Sequence, residues 1–136
     1  FIKLSKRLGS NYQIVLIGLN KNQQKKVSDN IIGITRTENV QELVKWYSAA
    51  EVLFNPTLED NYPTVNLEAI ACGTPVITFD TGGSPESAFA DESTTIFSKS
   101  VDESVIKILN INKADIKQKC IKMKFINDTY LKLMKE

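Results

Sequence analysis

Short runs of β-branched and aromatic residues recur along the chain, separated by longer segments in which polar residues dominate. Four runs are clear and a fifth is weaker. They occupy residues 13–17, 30–34, 51–54, 75–79 and, for the weaker run, 94–97. Most runs are continuous rather than alternating, as expected of strands that are covered on both faces. Because such strands occur mainly in parallel sheets, the pattern predicts a parallel sheet.

The segments between the runs carry helical periodicity and recognisable start signals. Asn39 is followed three residues later by Glu42, and Ser100 by Glu103, which is the spacing of a capping box. Behind each pair, apolar residues recur every three or four positions, as they do on the buried face of a helix. Both segments are therefore predicted to be amphipathic helices.

A third helix is predicted between Pro63, which suits a first helical turn, and Gly73, which suits a helix stop. A fourth is predicted at the start of the chain, where Leu4 and Leu8 lie among basic residues. Strands and helices alternate throughout, without an internal repeat or a linker. This alternation predicts an α/β fold, namely a single three-layer, Rossmann-like domain over residues 1–136 with a parallel sheet.

The last segment, residues 112–136, places apolar side chains at helical spacing with lysines between them. We expect one long helix, or two helices broken near Asn127. The lysine-rich face could make a peripheral membrane contact with anionic lipid, although a plain solvated face is the favoured interpretation.

Composition narrows the classes of protein. Seventeen basic and 16 acidic residues give a net charge of +1, so no nucleic-acid partner is expected. There is no histidine, and Cys72 and Cys120 have no second ligand nearby, so we expect no metal site. No apolar run approaches the ~20 residues needed to cross a bilayer, and no signal peptide is evident. We expect a cytoplasmic protein with free thiols.

The most informative stretch places two carboxylates eight positions apart, with Asp60 expected in a loop and Glu68 inside the following helix. Between them, the unpaired backbone amides of the helix start, from Asn61 to Thr64 and Val65, favour an anion such as a diphosphate. The flanking carboxylates could accept hydrogen bonds from sugar hydroxyls. The stretch therefore predicts a nucleotide-sugar site.

Ordinary explanations exist for the same residues. Glu68 could be a solvated helix residue and Asp60 a turn residue. The glycine pair of residues 82–83 could form only a tight turn from strand to helix. Arg36, in the loop after the second run, could hold a phosphate or a base edge, yet a lone exposed arginine is more often solvated.

Taken together, these features resemble the retaining glycosyltransferases of the two-domain GT-B fold, especially the large family four. Members carry an acid, seven intervening residues and a glutamate, then an alanine-rich helix, Cys-Gly-Thr-Pro-Val and a glycine pair before Pro-Glu. The counterparts here are Asp60 to Glu68, residues 69–76 and residues 82–86. The resemblance implies that the chain is the C-terminal, donor-binding half of a GT-B fold, a fragment whose N-terminal acceptor domain is absent.

By that resemblance, the full enzyme would transfer a hexose from a nucleoside-diphosphate sugar donor to a sugar, lipid or small-molecule acceptor, without a metal or other cofactor. Glu68 would bind the nucleotide ribose, and Asp60 would be the catalytic acid that approaches the hydroxyls of the transferred sugar. The family usually has glutamate at this first position, and aspartate is one methylene shorter. Glu59 could therefore supply that carboxylate instead.

The resemblance also assigns the rest of the donor site. The backbone at Thr64 and Val65 would contact the diphosphate or the sugar, and the loop at Thr35 and Arg36 would lie beside the base. Residues 61–63 replace the glycine-rich loop that is common in the family, which narrows the space for close backbone approach. The family's basic diphosphate-binding residues precede the first helix, where this chain begins. We therefore expect the isolated chain to bind weakly and to be inactive.

A non-catalytic binding or regulatory module, such as a phospho-receiver domain, is the alternative. Receivers share a five-stranded parallel sheet, and Asp80 and Lys99 occupy positions that suit their phosphorylated aspartate and their lysine. However, receivers need an acidic pair after the first strand, where this chain has Gly18, Leu19 and Asn20. The donor-binding interpretation is therefore favoured.

Overall fold

A computed structural model of the chain describes residues 1–87 and 95–111. Helices and strands alternate within it, in the order α1 (Ile2–Leu8), β1 (Ile14–Ile17), α2 (Lys21–Gln24), β2 (Ile31–Ile34), α3 (Val40–Ala49), β3 (Leu53–Asn55), α4 (Thr64–Ala71), β4 (Val76–Phe79), α5 (Ser84–Ser87), β5 (Thr95–Ser98) and α6 (Val101–Leu109). The predicted α/β fold is confirmed. The predicted helix of residues 112–136, which includes Cys120 and the lysine-rich face, lies outside the described residues.

Every strand pairing in the described chain is parallel, as predicted. β1 pairs with β2, placing Ile14 opposite Ile31. β4 pairs with β3 on one side and β5 on the other, placing Val76 opposite Leu53 and Thr95. The described strands thus form a two-stranded sheet, β1-β2, and a three-stranded sheet, β3-β4-β5. The chain divides into two compact units, Phe1–Leu43 and Val44–Glu136, and each sheet lies within one of them.

The predicted helix starts are confirmed, with one difference in how the glutamates are used. Asn39 accepts a hydrogen bond from the Glu42 N–H at 2.8 Å, and Ser100 accepts one from the Glu103 N–H at 3.1 Å. In a capping box each glutamate would bond the N–H of the cap residue itself. Here Glu42 and Glu103 instead accept from the N–H one residue earlier, at 2.6 and 2.8 Å. Each glutamate therefore holds the chain just before its helix.

A complete capping box occurs at α2, which the sequence pattern did not reveal. The Asn20 side chain accepts from the N–H groups of Asn22 and Gln23 at 3.0 and 2.9 Å. The Gln23 side chain accepts from the Asn20 N–H at 2.9 Å. The signal was present as Asn-x-x-Gln, but a helix of four residues has too few positions to display apolar periodicity.

Helix α4 begins one residue later than expected and ends where predicted. Pro63 is its N-cap, with φ −68°, rather than part of its first turn. Gly73 follows the helix with φ 78°, a conformation that glycine adopts without steric cost. The Thr74 N–H then donates to the Ala69 carbonyl at 2.9 Å, which satisfies a carbonyl that the helix leaves open.

The core of the second unit lies between β4 and α4. All four residues of β4 are buried. Ala69 and Ile70 of α4 pack with Val76, and Tyr47 and Leu53 border this cluster. Burial of a side chain such as Ile70 contributes about 1.5–3 kcal/mol, so this cluster fixes α4 on the sheet.

The first unit has a smaller core, which includes Leu4 of α1 and Ile31 of β2. A polar contact joins the same two elements. Ser5 Oγ donates to Asn30 Oδ1 at 2.8 Å, and Asn30 Nδ2 donates to the Ser5 carbonyl at 3.2 Å. Asn30, just before β2, thus holds α1 through both backbone and side chain.

Candidate functional site

The carboxylates of the predicted site begin in the loop that follows β3. Residues 57–62, which we term the acid loop, lead from β3 to the start of α4. Glu59, Asp60 and Asn61 are exposed, and together with Leu58 and Gly82 they line an open depression of about 590 Å³. Since the carboxyl ends of parallel strands are where α/β proteins bind ligands, the acid loop is in a suitable place.

Asp60 is a turn residue, as the ordinary explanation proposed. Its Oδ1 accepts a hydrogen bond from the Tyr62 N–H at 3.0 Å, two residues ahead. The side chain is exposed. A carboxylate has several acceptor positions, so Asp60 can hold its own turn and still accept from a ligand.

Glu59 differs from its neighbour in its surroundings. Its carbonyl accepts a hydrogen bond from Thr57 Oγ1 at 3.4 Å, a contact that involves the backbone of Glu59 and not its carboxylate. Its side chain is exposed beside the same depression. Two carboxylates therefore border this depression, and both Asp60 and Glu59 stay candidates for the sugar.

A second segment packs directly against the acid loop. Residues 81–84, which we term the glycine turn, connect β4 to α5. The Thr81 hydroxyl donates to the Thr57 carbonyl at 2.7 Å, and the Gly83 N–H donates to the Asp60 carbonyl at 2.8 Å. The glycine pair thus forms the predicted strand-to-helix turn and in addition supports the loop that carries the acids.

The start of α4 presents the backbone amides that the sequence analysis singled out. Pro63 is buried and makes no side-chain hydrogen bond as a cap, while Thr64 and Val65 are exposed. The Asn66 N–H already donates to the Pro63 carbonyl at 3.2 Å. Because the first N–H groups of a helix have no partner within it, Thr64 and Val65 offer the donors that an anion would need.

Glu68 lies on α4 next to α3, with an exposed side chain. The Tyr47 hydroxyl donates to Glu68 Oε2 at 3.0 Å. Burial, followed by this hydrogen bond, raises the pKa of Tyr47 above its ordinary value of 10.0, so the hydroxyl keeps its proton at neutral pH. Thr74 in turn donates to the Tyr47 carbonyl. Tyr47 therefore fixes one oxygen of Glu68 and leaves the other to accept.

The predicted site residues fall into three groups: those of the acid loop, those of α4, namely Thr64, Val65 and Glu68, and those of the loop after β2. Glu59, Asp60 and Asn61 line the depression. Glu68 is held beside Tyr47 and is not one of the described residues that line the depression. Thr35 and Arg36 belong to the first unit and are exposed in the loop after β2. Gln24 Nε2 donates to Thr35 Oγ1 at 2.9 Å.

A buried polar network beneath α4 was not predicted. Asn66 is fully buried; Asn55 Nδ2 donates to its Oδ1 at 3.0 Å, and its Nδ2 donates to Ser87 Oγ at 3.0 Å. Ser87 then donates to the Ser84 carbonyl at 3.1 Å. The network joins β3, α4 and α5 behind the acid loop. Its signal was a polar residue between Val65 and Leu67 at a core-facing position of the helix.

Residues 1–87 and 95–111 hold no group of three histidine, cysteine or acidic side chains arranged to bind a metal ion. None of the helices in those ranges is both long enough and apolar enough to pass through a bilayer.

Comparison with known proteins gives one family. The chain matches the glycosyl transferases group 1 over residues 1–112. It is also similar to proteins named D-inositol 3-phosphate glycosyltransferase. That of Streptomyces bingchenggensis is 50% identical over 44 residues, which are 32% of this chain and 10% of that protein. That of Saccharomonospora viridis is 39% identical over 57 residues, 42% of this chain and 13% of the relative.

A longer alignment joins the chain to the D-inositol 3-phosphate glycosyltransferase of Actinosynnema mirum. The two are 28% identical over 90 residues, which are 57% of this chain and 22% of the relative. The chain thus spans less than a quarter of the length of these curated relatives.

Proposed function

The chain belongs to the glycosyl transferases group 1, and on that premise we propose that it is the donor-binding, C-terminal half of a retaining GT-B glycosyltransferase. The complete enzyme transfers a hexose from a nucleoside-diphosphate sugar to a sugar, lipid or small-molecule acceptor. The other half of the enzyme supplies the acceptor site. The family match favours this function over the receiver-like alternative.

One observation carries the proposal. A loop with two exposed acidic residues runs directly into a helix whose first two residues are exposed, and a third exposed acidic residue follows about one turn into that helix. This order matches the order of groups in a nucleotide sugar: a sugar with hydroxyl donors, an anionic diphosphate and a ribose with hydroxyl donors. Each chemical group of the ligand thus has a partner of the required type.

The roles follow from those partners. Asp60 or Glu59 accepts from hydroxyls of the transferred sugar, and the amides of Thr64 and Val65 receive the diphosphate. Glu68, held by Tyr47, accepts from the ribose hydroxyls. Hydrogen bonds to ionised groups contribute about 1.5–3 kcal/mol each, which is enough to select a sugar nucleotide over a simple phosphate.

Asn61 is the remaining acid-loop residue of the proposed donor site. Asn61 lines the depression beside the acids and offers both a donor and an acceptor. The family resemblance assigns recognition of the base to Thr35 and Arg36, which belong to the first unit. No metal is assigned a role.

The chemical demand of the reaction fits such a site. The enzyme must stabilise a leaving diphosphate and an oxocarbenium-like sugar at the same time. Fixed amides stabilise the first and carboxylates the second, without a strong nucleophile. Because the acceptor site is assigned to the other half, we expect the chain alone to bind donor weakly and to be inactive.

The relatives suggest where to begin with acceptors. They are named for D-inositol 3-phosphate, which makes a phosphorylated cyclitol the first small-molecule acceptor to assay. Lipid and sugar acceptors follow in the same assay.

The donor site is tested by removing Glu68. In the complete protein, Glu68→Ala should weaken binding of the recognised nucleoside diphosphate by about tenfold or more, because a ribose hydroxyl loses a charged acceptor. Isothermal titration calorimetry with uridine, guanosine and adenosine diphosphates measures this. Glu103→Gln, which removes another exposed carboxylate of the second unit, is the control and should bind as the unaltered protein does. Equal affinity in the Glu68→Ala protein would refute the assignment.

A further inference from the structure

The contact between the acid loop and the glycine turn is unusually close. Two hydrogen bonds join the segments, from the Thr81 hydroxyl to the Thr57 carbonyl at 2.7 Å and from the Gly83 N–H to the Asp60 carbonyl at 2.8 Å. Both end on carbonyl groups of the acid loop, so they hold its backbone rather than its side chains. The loop that carries the acids is therefore fixed along its length by a segment more than 20 residues later in the chain.

The glycines are what permit this approach. A Cβ added at Gly82 would lie 2.5 Å from the Asp60 carbonyl oxygen. A Cβ added at Gly83 would overlap with the Asn61 carbonyl and lie 3.1 Å from the Tyr62 nitrogen, whereas ordinary contacts begin at 3.4 Å. The obstacles are backbone atoms, which cannot rotate away as a side chain can. Any larger residue at these positions must therefore move the acid loop.

Gly83 differs from Gly82 in a useful way. Gly82 has a φ of 55°, so a substitution there adds backbone strain to the overlap. Gly83 is not among the glycines with positive φ, so its backbone conformation is one that alanine adopts without strain. At Gly83 the close approach alone requires glycine. Gly83→Ala thus isolates the effect of displacing the acid loop.

From these contacts we infer that Gly83 is a positioning residue for the sugar end of the donor site. It holds Asp60 and Asn61 where they meet the transferred hexose, and this inference rests on the proposed function. The nucleotide end has a separate support, because Glu68 is held by the Tyr47 hydroxyl at 3.0 Å and lies on a helix fixed by the core. Loss of the glycine should therefore affect recognition of the sugar and spare recognition of the nucleotide.

Hydrogen–deuterium exchange tests the bracing without any ligand. In Gly83→Ala, peptides covering residues 57–62 should exchange about tenfold faster than in the unaltered protein, while peptides covering α4 keep their protection. Thr81→Val, which removes one hydrogen bond without adding an overlap, should give a smaller change in the same peptides. Unchanged exchange of the acid loop in both variants would overturn the inference.

Calorimetry of the complete protein tests the link to the sugar. Uridine, guanosine and adenosine diphosphates are each compared with the matching diphosphate glucose or mannose. Gly83→Ala should lower the affinity for the sugar nucleotide by about tenfold or more and change the affinity for the matching diphosphate by less than about twofold, because misplacement of a contacting group by ~1 Å has large effects. Gly9→Ala is the control. It adds backbone strain at φ 71° with nothing within 4 Å, and it should leave both affinities unchanged.

Each outcome has one meaning. Equal weakening of both ligands by Gly83→Ala would overturn the inference in favour of a general structural role. Wild-type affinity for both would overturn it as well. Failure of the unaltered protein to bind any of the ligands would refute the proposed function instead, and the exchange experiment would still decide whether Gly83 fixes the acid loop.

Discussion

The loops after β2 and β3 both follow a parallel strand and precede a helix, yet they are held in different ways. The loop after β2 is held by side chains: Gln24 Nε2 donates to Thr35 Oγ1 at 2.9 Å and to the Gly33 carbonyl at 3.2 Å. The loop after β3 is held by one side chain, the Thr81 hydroxyl, and in addition by backbone, through the Gly83 N–H and the close approach of the glycine turn. A side chain can change rotamer to release a loop, whereas a packed backbone cannot.

The same contrast extends beneath the two loops. Among the described residues of the first unit, Ser5 is the fully buried polar side chain, and its partner Asn30 is half-buried. In the second unit, Asn66 and Ser87 are both fully buried and are hydrogen-bonded to each other at 3.0 Å. Buried polar groups that are satisfied specify one arrangement, because any other arrangement leaves them unpaired. The second unit therefore has the more rigid support for a binding site.

The largest effect is expected from removing the buried amide of the second unit. Asn66→Ala leaves Asn55 Nδ2 without its acceptor and removes the donor to Ser87 Oγ, which keeps its bond to the Ser84 carbonyl. It should lower the free energy of unfolding by about 2–4 kcal/mol, since each unsatisfied buried group costs about 1–3 kcal/mol. Urea denaturation followed by the fluorescence of Trp46, the single tryptophan of the chain, measures this loss.

The matched variant in the first unit is Asn30→Ala. Its partner Ser5 can keep a contact with Ser28 Oγ, which lies 3.0 Å away, and the half-buried site admits water. We expect a loss of about 1 kcal/mol, measured by circular dichroism in urea. If Asn66→Ala and Asn30→Ala lowered the free energy of unfolding equally, the second unit would not be the more rigidly supported of the two.

A smaller effect is expected at the support of Glu68. Tyr47→Phe removes the hydroxyl that holds the carboxylate and should weaken nucleoside diphosphate binding by about threefold to tenfold, because Glu68 then samples other rotamers. Tyr12→Phe in the first unit is the control, and titration calorimetry is the measurement. Unchanged affinity for the nucleoside diphosphate after Tyr47→Phe would show that Glu68 does not need the Tyr47 hydroxyl to orient it.

The same tyrosine gives a prediction for alkaline pH. Burial and the bond to Glu68 raise the pKa of Tyr47, so its contribution to stability is complete below the ordinary value of 10.0. Above that pH the unfolded tyrosine ionises while the folded one resists, and the contribution declines. The stability of the unaltered protein should therefore fall toward that of Tyr47→Phe as the pH rises above 10, as followed by urea denaturation.

The smallest effect is expected at the exposed start of α6. A hydrogen bond with Lys107, and then one from the Lys99 N–H, lower the pKa of Glu103 below its ordinary 4.5. The contribution of ionised Glu103 to stability is therefore complete above pH 4.5 and is lost as the pH falls through the lowered pKa. Glu103→Gln should reduce the melting temperature slightly at pH 7, and the difference should disappear in acid. If the difference in melting temperature persisted in acid, the effect of Glu103→Gln would come from packing and not from charge.

Much of the fold could be predicted because its signals are local. The apolar runs predicted the five strands of the described residues to within two positions, Asn39 and Ser100 predicted the starts of α3 and α6, and Gly73 predicted the end of α4. Each of these signals acts within about one helical turn, through hydrogen bonds that the residue makes with its own neighbours. Of the resemblance drawn from residues 60–86, the match to the glycosyl transferases group 1 confirms the glycosyltransferase family, while the retaining mechanism and the donor-binding half stay proposals.

The arrangement of the candidate site could be predicted only in part. The sequence indicated that the acids, the helix start and the glycine pair belong together, but not how they touch. The partners of Glu68 and Asn66 each lie 21 residues away, Tyr47 on α3 and Ser87 on α5. No periodicity or capping pattern extends over such distances.

The sequence by itself determined the order of the strands and of most helices, the starts of α3 and α6, the end of α4 and the residue types at 60–68 on which the proposed donor site rests. The tertiary structure alone decided that the Asp60 carbonyl rests on Gly83, that Tyr47 holds Glu68 and that Asn66 is buried among polar partners. The physical reason is range: propensity and capping act between neighbours in sequence, whereas close packing selects contacts only after the strands have brought distant segments together.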